Sequence, residues 1–242
     1  MGLSLAILFF SSAFYTAFGF GMGLLATGLL ALVIPDIRQV VVIILLVSLP
    51  IELFIAQKNF AKISWQPVLV ISAGCVVGAF LGSWHLIVSR TAILHQVLAG
   101  LLVACAILIW FLAKERKPKS LPSWAAGVTG ILSGLMAGSM GLGGPPLFFY
   151  YQIQGVTKSQ FRNHLIAIFL ILSMIRIPTY LLGGLFNKNN LLITFYMLPS
   201  ALLGAWIGSY MHFAVNEISF KRYMALGLII LAILHLPSTA GM

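Results

Sequence analysis

Charged residues are scarce in this chain. Only 7% of its 242 residues are charged, and 4 acids stand against 14 Lys and Arg. A soluble domain carries about a quarter charged residues. Together with 61% hydrophobic residues and a mean hydropathy of +1.07, this excludes an ordinary soluble domain and a disordered polypeptide. The basic residues flank apolar runs, as loop charges of a membrane protein do, so the net charge of +10 does not predict a nucleic-acid partner.

Cysteine and ligand clusters are scarce as well. Cys75 and Cys105 lie inside apolar runs, which favours packing roles over a disulfide framework. No two of the 5 histidines have the helical spacing of a ligand pair, and no acid accompanies them, so no metal site is predicted. Phosphate-binding motifs are missing, and no cofactor is expected. Ser139 follows Ala137 rather than a glycine two residues earlier and lacks a His–acid pair, so the sequence does not indicate an enzyme.

Long apolar runs are what the sequence has instead. A bilayer core of about 30 Å needs about 20 apolar residues per helix. We count eight runs, at 3–34, 40–56, 68–88, 93–113, 124–153, 165–184, 191–213 and a shorter one ending at 236. The predicted fold class is an all-α integral membrane protein of about eight transmembrane segments, with the lipid bilayer as its surroundings.

A basic hydrophilic segment divides these runs into two sets of four. The motif GAFLGSW at 78–84 recurs as GAWIGSY at 204–210, and glycine-rich stretches occur near the start of both sets. We therefore predict a four-span repeat at 1–113, a basic linker at 114–123 and a second four-span repeat at 124–242. Because short basic loops stay on the cytoplasmic side, the basic linker favours an orientation in which both termini lie in the cytoplasm.

Glycine recurs at every fourth position in three of the runs. On a helix this spacing makes a smooth face that lets another backbone approach closely, so these glycines are predicted to serve packing. They are Gly74, Gly78 and Gly82, then Gly130, Gly134 and Gly138, and finally Gly204 and Gly208.

Two of the runs contain glycines that are expected to break their helices. Glycines and prolines in succession at 141–146 oppose a continuous helix. A broken helix inside a membrane exposes backbone N–H groups and a positive helix end, which suit an anion. The candidate binding residues are Gly141, Gly143, Gly144 and Pro145 in the fifth run, and Gly19, Gly21 and Gly23 in the first. A kink without a ligand is the alternative.

Arg176 and Glu52 are the charged residues deep inside apolar runs. Arg176 precedes Pro178 by two positions and Glu52 follows Pro50 by two. A guanidinium is costly in the bilayer unless it faces the bundle interior or water, and its planar set of donors suits an oxyanion. We predict that Arg176 binds the substrate anion, and the alternative is a structural ion pair with Glu52. Asn163 is a further binding candidate, beside His164, which opens the sixth run at the predicted pore mouth.

The segment MAGSMGLGGPPLFFYYQIQGVTKSQFRN, with the four-plus-four layout, resembles the sulfite exporter TauE/SafE family of membrane transporters. The resemblance implies a secondary transporter, most simply an exporter, of small sulfur-containing anions such as sulfite or organosulfonates in a bacterial cytoplasmic membrane. A passive anion channel and a membrane scaffold without a substrate are the alternatives. The coupling ion is either H⁺ or Na⁺, and Glu52 is the candidate residue for coupling. The sequence also leaves open whether the protein forms a homo-oligomer.

Overall fold

The computed structural model describes residues 1–112 and 119–210. These residues are almost entirely helical and contain no strand, which confirms the all-α class. The helices are α1 Gly2–Phe18, α2 Met22–Leu30, α3 Ile37–Asn59, α4 Trp65–Val88, α5 Thr91–Leu112, α6 Ser123–Met140, α7 Gly144–Gln154, α8 Lys158–Leu182 and α9 Lys188–Tyr210. A 3₁₀ turn, Phe60–Lys62, follows α3.

Four of the described helices, α3, α4, α8 and α9, are long and apolar enough to cross a membrane. Large apolar side chains on the outside of the bundle, such as Phe80, Trp84, Phe195 and Trp206, are more than half exposed. An exposed apolar surface of this extent is suited to lipid. The multi-pass membrane fold is thus confirmed, whereas the eight-span count and the boundaries at 113 and 123 stay predictions. The last predicted run lies outside the described residues.

The first and fifth apolar runs are both broken, as the glycines predicted. α1 ends at Gly19 with φ +83°, and α2 begins after Gly21 with φ +99°. α6 ends at Gly141 with φ +73°, and α7 begins at Gly144. A positive φ is the left-handed conformation that only glycine adopts without strain. The chain therefore leaves and re-enters helical geometry within a few residues at each break.

The glycine ladders mark the two most extensive helix contacts in the described part of the chain. α4 packs on α6, where a Cβ added at Gly78 or Gly134 would overlap the backbone of the facing helix. α1 packs on α9 in the same manner, and a Cβ at Gly204 would overlap the carbonyl oxygen of Phe9. The packing role predicted for these glycines is confirmed. Each broken run is thereby held by a helix from the other side of the basic linker.

α3 and α8 bring polar side chains into the centre of this bundle. Asp36 caps α3 by accepting a hydrogen bond from the N–H of Arg38 at 3.0 Å. Thr157 and Gln160 form a reciprocal capping box at the start of α8. α3 is the most deeply buried of the four long apolar helices and contacts α8. Glu52 on α3 and Arg176 on α8 consequently both lie inside the protein.

Candidate functional site

The two helix breaks meet at the centre of the bundle. Gly23 lies against Gly141 so closely that a Cβ on Gly23 would overlap the Gly141 carbonyl oxygen. The Thr27 hydroxyl donates a hydrogen bond to the Met140 carbonyl oxygen at 3.0 Å, which ties α2 to the end of α6. Helical packing of the flanking pieces thus brings two irregular backbone segments from distant parts of the sequence into contact.

A cavity of about 40 Å³ lies where the breaks meet. A buried water needs about 10–15 Å³ on this kind of measure, so the space is sufficient for a few waters or a small ion. Its wall combines backbone from both breaks with side chains from α1, α3 and α8. The polar side chains in the wall are Tyr15, Ser48, Glu52, Ser173 and Arg176.

Arg176 presents unused hydrogen-bond donors at this cavity. Its side chain is only 6% exposed, and its Nη2 makes no hydrogen bond. Nε donates to the Tyr180 hydroxyl at 3.1 Å, and that hydroxyl donates to the Gly138 carbonyl oxygen at 2.6 Å. One edge of the guanidinium is therefore anchored to α6 through Tyr180, while the buried Nη2 has no partner and can donate to a ligand.

Glu52 lies in another part of the same wall and is 4% exposed. Its Oε2 accepts a hydrogen bond from the Ser173 hydroxyl at 2.7 Å. The Tyr15 and Ser48 hydroxyls are close to the carboxylate as well. No ion pair within 4.0 Å joins Glu52 to Arg176, so the direct structural pair considered from the sequence is not formed.

The helix ends at the two breaks differ in the backbone donors that they offer. The first four N–H groups of a helix have no intrahelical partner. At the start of α2 these belong to Gly21, Met22, Gly23 and Leu24. At the start of α7 two of the four positions are Pro145 and Pro146, which have no N–H. The first break, which has no prolines, therefore offers the larger set of donors for an anion.

Comparison with known proteins gives these features a context. The sequence profile of the sulfite exporter TauE/SafE family matches residues 4–234. The chain belongs to this family. A protein of Cupriavidus necator named "Probable sulfite/organosulfonate exporter TauE" is 28% identical over 178 residues, which cover 71% of this chain and 68% of that protein. No solved structure matches the chain significantly.

Most of the residues predicted for the site in this TauE/SafE chain line the cavity. They are Gly21, Gly23, Glu52, Gly141, Gly143, Gly144 and Arg176. The other three lie elsewhere. Gly19 packs against Arg162, Pro145 faces a second, apolar cavity beside α5 and α6, and Asn163 is buried outside the cavity wall.

The hydroxyl groups in the cavity wall were not among the residues predicted from the sequence. Ser48 precedes Glu52 by four residues and Ser173 precedes Arg176 by three. These spacings place each serine on the same helix face as its charged neighbour, so they are a signal that the sequence contained. Tyr15 has no comparable neighbour in its own helix, and only the packing of α1 brings it to the site. Ser139 donates to the Leu135 carbonyl oxygen within its own helix at 2.7 Å, an ordinary helical contact.

Proposed function

We propose that this protein is a secondary transporter, acting as an exporter, of small sulfur oxyanions such as sulfite or organosulfonates. Membership of the TauE/SafE family and the name of the Cupriavidus necator relative support a membrane transporter of sulfur anions. The observation that carries the site assignment is the buried Arg176 guanidinium, which has an unpartnered Nη2 and lines the central cavity.

The oxyanion binds between Arg176 and the first helix break in this proposal. A guanidinium holds two oxygens of a sulfite or sulfonate group in parallel hydrogen bonds, which are stronger than those between neutral groups. The N–H groups at the start of α2 supply further donors and the positive end of a short helix. Gly141, Gly143 and Gly144 keep side chains away from the space where the anion lies.

Glu52 carries the coupling proton in this proposal. A buried carboxylate that is not in contact with a cation is costly, so it takes up a proton or a metal cation when water is excluded. Hydroxyls surround Glu52, of which Ser173 donates directly to the carboxylate, and the Arg176 guanidinium acts on it electrostatically without forming an ion pair. A single carboxylate with hydroxyl neighbours suits a proton, and Na⁺ is the alternative that the experiment separates.

The surroundings of the protein form part of the same proposal. We place it in a bacterial cytoplasmic membrane with both termini in the cytoplasm. The residues 1–113 and 124–242 are proposed as two four-span repeats around the basic linker 114–123. The packing of α1 on α9 and of α4 on α6 supports this, because two related halves would exchange equivalent contacts.

The decisive experiment measures sulfite flux in proteoliposomes that contain the purified protein. Accumulation of sulfite against its gradient, driven by an imposed pH gradient, supports the transporter. Flux that only follows the sulfite gradient indicates a passive channel, and flux driven by Na⁺ alone overturns the role of Glu52. A scaffold predicts no flux of sulfite or organosulfonates in well-folded protein.

A further inference from the structure

A second arginine lies on the same helix as Arg176 and has no role in the site described so far. Arg162 is partly buried near the start of α8. Among the described residues it makes no ion pair, and its Nε is buried without a hydrogen-bond partner. A half-buried guanidinium with unsatisfied donors is costly in a membrane protein and is usually retained for a ligand or an ion path.

Arg162 and Arg176 share one face of α8. Residues seven positions apart in a helix are separated by nearly two full turns, so 162, 169 and 176 lie in line. The rise of about 1.5 Å per residue puts the two arginine Cα atoms about 21 Å apart along the helix. Between them Phe169 lines the central cavity. The face that carries Arg176 at the cavity therefore carries Arg162 nearer the start of the helix.

Arg162 also lies over the first helix break. A Cβ added at Gly19 would come within 2.9 Å of the Arg162 Cγ, so the arginine stem packs on this glycine. Arg162 interacts electrostatically with the Tyr15 hydroxyl, and Tyr15 belongs to the cavity wall. The rings of Tyr15 and Phe169 have centroids 6.2 Å apart. This aromatic pair belongs to the cavity wall, and its Tyr15 hydroxyl is the group of the wall that interacts with Arg162.

We propose that Arg162 forms an outer oxyanion site, from which the substrate passes the Tyr15–Phe169 pair to reach Arg176. The inference rests on the proposed function and adds a second binding residue to it. An unpaired positive charge at the approach to a narrow, low-dielectric site raises the local concentration of anions and speeds their association by about 10- to 1000-fold. Arg162 acts on the rate of substrate access, whereas Arg176 holds the anion at equilibrium.

The test compares R162Q and R162K with wild type in proteoliposomes at sulfite concentrations well below saturation. R162Q should lower the initial flux at least 10-fold, and R162K should stay within about 3-fold of wild type. Equilibrium binding of sulfite to solubilised R162Q should change less than about 2-fold. Added salt should slow wild type more than R162Q, because part of the screened charge is the one that R162Q lacks. K188Q, which removes an exposed cation at the start of α9, is the matched control and should keep wild-type flux.

A chemical variant makes the test independent of how the substitution affects folding. R162C can be labelled after reconstitution, because the native Cys75 and Cys105 are both buried. A positively charged aminoethyl methanethiosulfonate should restore at least half of the lost flux, and a negatively charged sulfonatoethyl reagent, after its excess is removed, should not.

Equal effects of the two reagents, or wild-type flux in R162Q, would overturn the outer site. If R162Q and R162C both fail to fold, R162K decides, since a 10-fold loss with the positive charge retained contradicts capture by charge. Absence of sulfite flux in wild type would instead remove the proposed function itself.

Discussion

Gly23 and Gly141, 118 positions apart in the chain, are in backbone contact at the centre of the protein. Each belongs to a different broken run, and the positive φ values lie at Gly141 itself and at Gly21, two residues before Gly23. The contact places the start of α2 beside the end of α6 and forms one side of the central cavity. Two irregular backbone segments that would be unstable in lipid alone are thus enclosed by protein, as membrane helices with breaks require.

Substitution of Gly23 by Ala should destabilise the protein. The new Cβ would overlap the Gly141 carbonyl oxygen, and overpacking of a tight contact costs about 1–3 kcal/mol. Thermal unfolding in detergent should show a lower Tm and less folded protein. Gly100→Ala is the control, because a Cβ there meets nothing within 4 Å, and its Tm should be unchanged or higher. Equal Tm values for the two variants would contradict the packing of the breaks.

Gly144 offers a way to block the cavity without disturbing the fold. A Cβ at Gly144 would have only ordinary contacts, the nearest being Phe20 at 3.7 Å. Gly144→Ala should therefore fold and retain flux, whereas Gly144→Leu should fold and lose at least 90% of it by filling the anion space. Gly143→Leu should lose flux and, unlike Gly144→Leu, should also reduce the amount of folded protein, because a Cβ there would come within 2.9 Å of the Ala137 side chain. Wild-type flux in folded Gly144→Leu would place the anion elsewhere.

Arg176 and Glu52 should respond differently to substitution. Arg176→Lys keeps the charge but loses the planar set of donors, so sulfite affinity should fall about 10-fold or more in folded protein. Glu52→Gln should bind sulfite at least as tightly as wild type and lose flux driven by a pH gradient. Binding and flux assays on the same preparations check both expectations. Loss of sulfite binding in folded Glu52→Gln would contradict the separate roles.

A double-mutant cycle of the same two residues measures whether they pair. Breaking a buried ion pair by removing one partner costs about 3–5 kcal/mol. Because the structure has no contact within 4.0 Å between the charged groups, the coupling energy from Arg176→Gln and Glu52→Gln should be well below that range. Thermal or chemical unfolding of both single variants and the double variant provides the measurement. A coupling energy of several kcal/mol would instead indicate that Arg176 and Glu52 form a structural ion pair.

Tyr180→Phe should weaken substrate binding although Tyr180 does not belong to the cavity wall. Its hydroxyl connects the Arg176 Nε to the Gly138 carbonyl oxygen. Removing it frees the guanidinium to rotate and leaves buried polar groups unsatisfied, at a cost of about 1–3 kcal/mol. Sulfite affinity should fall several-fold and the Tm should decrease. Thr179→Val, beside it, removes only a hydroxyl bonded within α8 and should keep wild-type affinity.

The sequence predicted the helix breaks because glycine and proline act locally. Glycine permits the left-handed conformations at Gly19, Gly21 and Gly141, and its missing side chain makes the smooth faces of the glycine ladders. Gly21, Gly23 and Arg176 could be predicted as binding candidates, and Glu52 as a coupling or ion-pair candidate, because charges and broken helices have few stable positions in a bilayer. Tyr15 could not be predicted, since its position depends on how α1 packs. Whether Arg176 and Glu52 form an ion pair also depends on how α3 crosses α8. The similar positions of the prolines in these two helices do not determine that crossing.

The exchange of partners between α1 and α9 and between α4 and α6 has a consequence for motion. Backbone-to-backbone glycine contacts leave little freedom within each pair, so each pair should move as one rigid body. The boundary between these bodies runs through the crossing of Gly23 and Gly141. A small rotation of one pair relative to the other would then be a hinge motion at this crossing. It would change the width of the cavity towards both sides of the membrane at once. Transport by rocking needs such a geometry, in which two rigid bodies meet beside the substrate cavity.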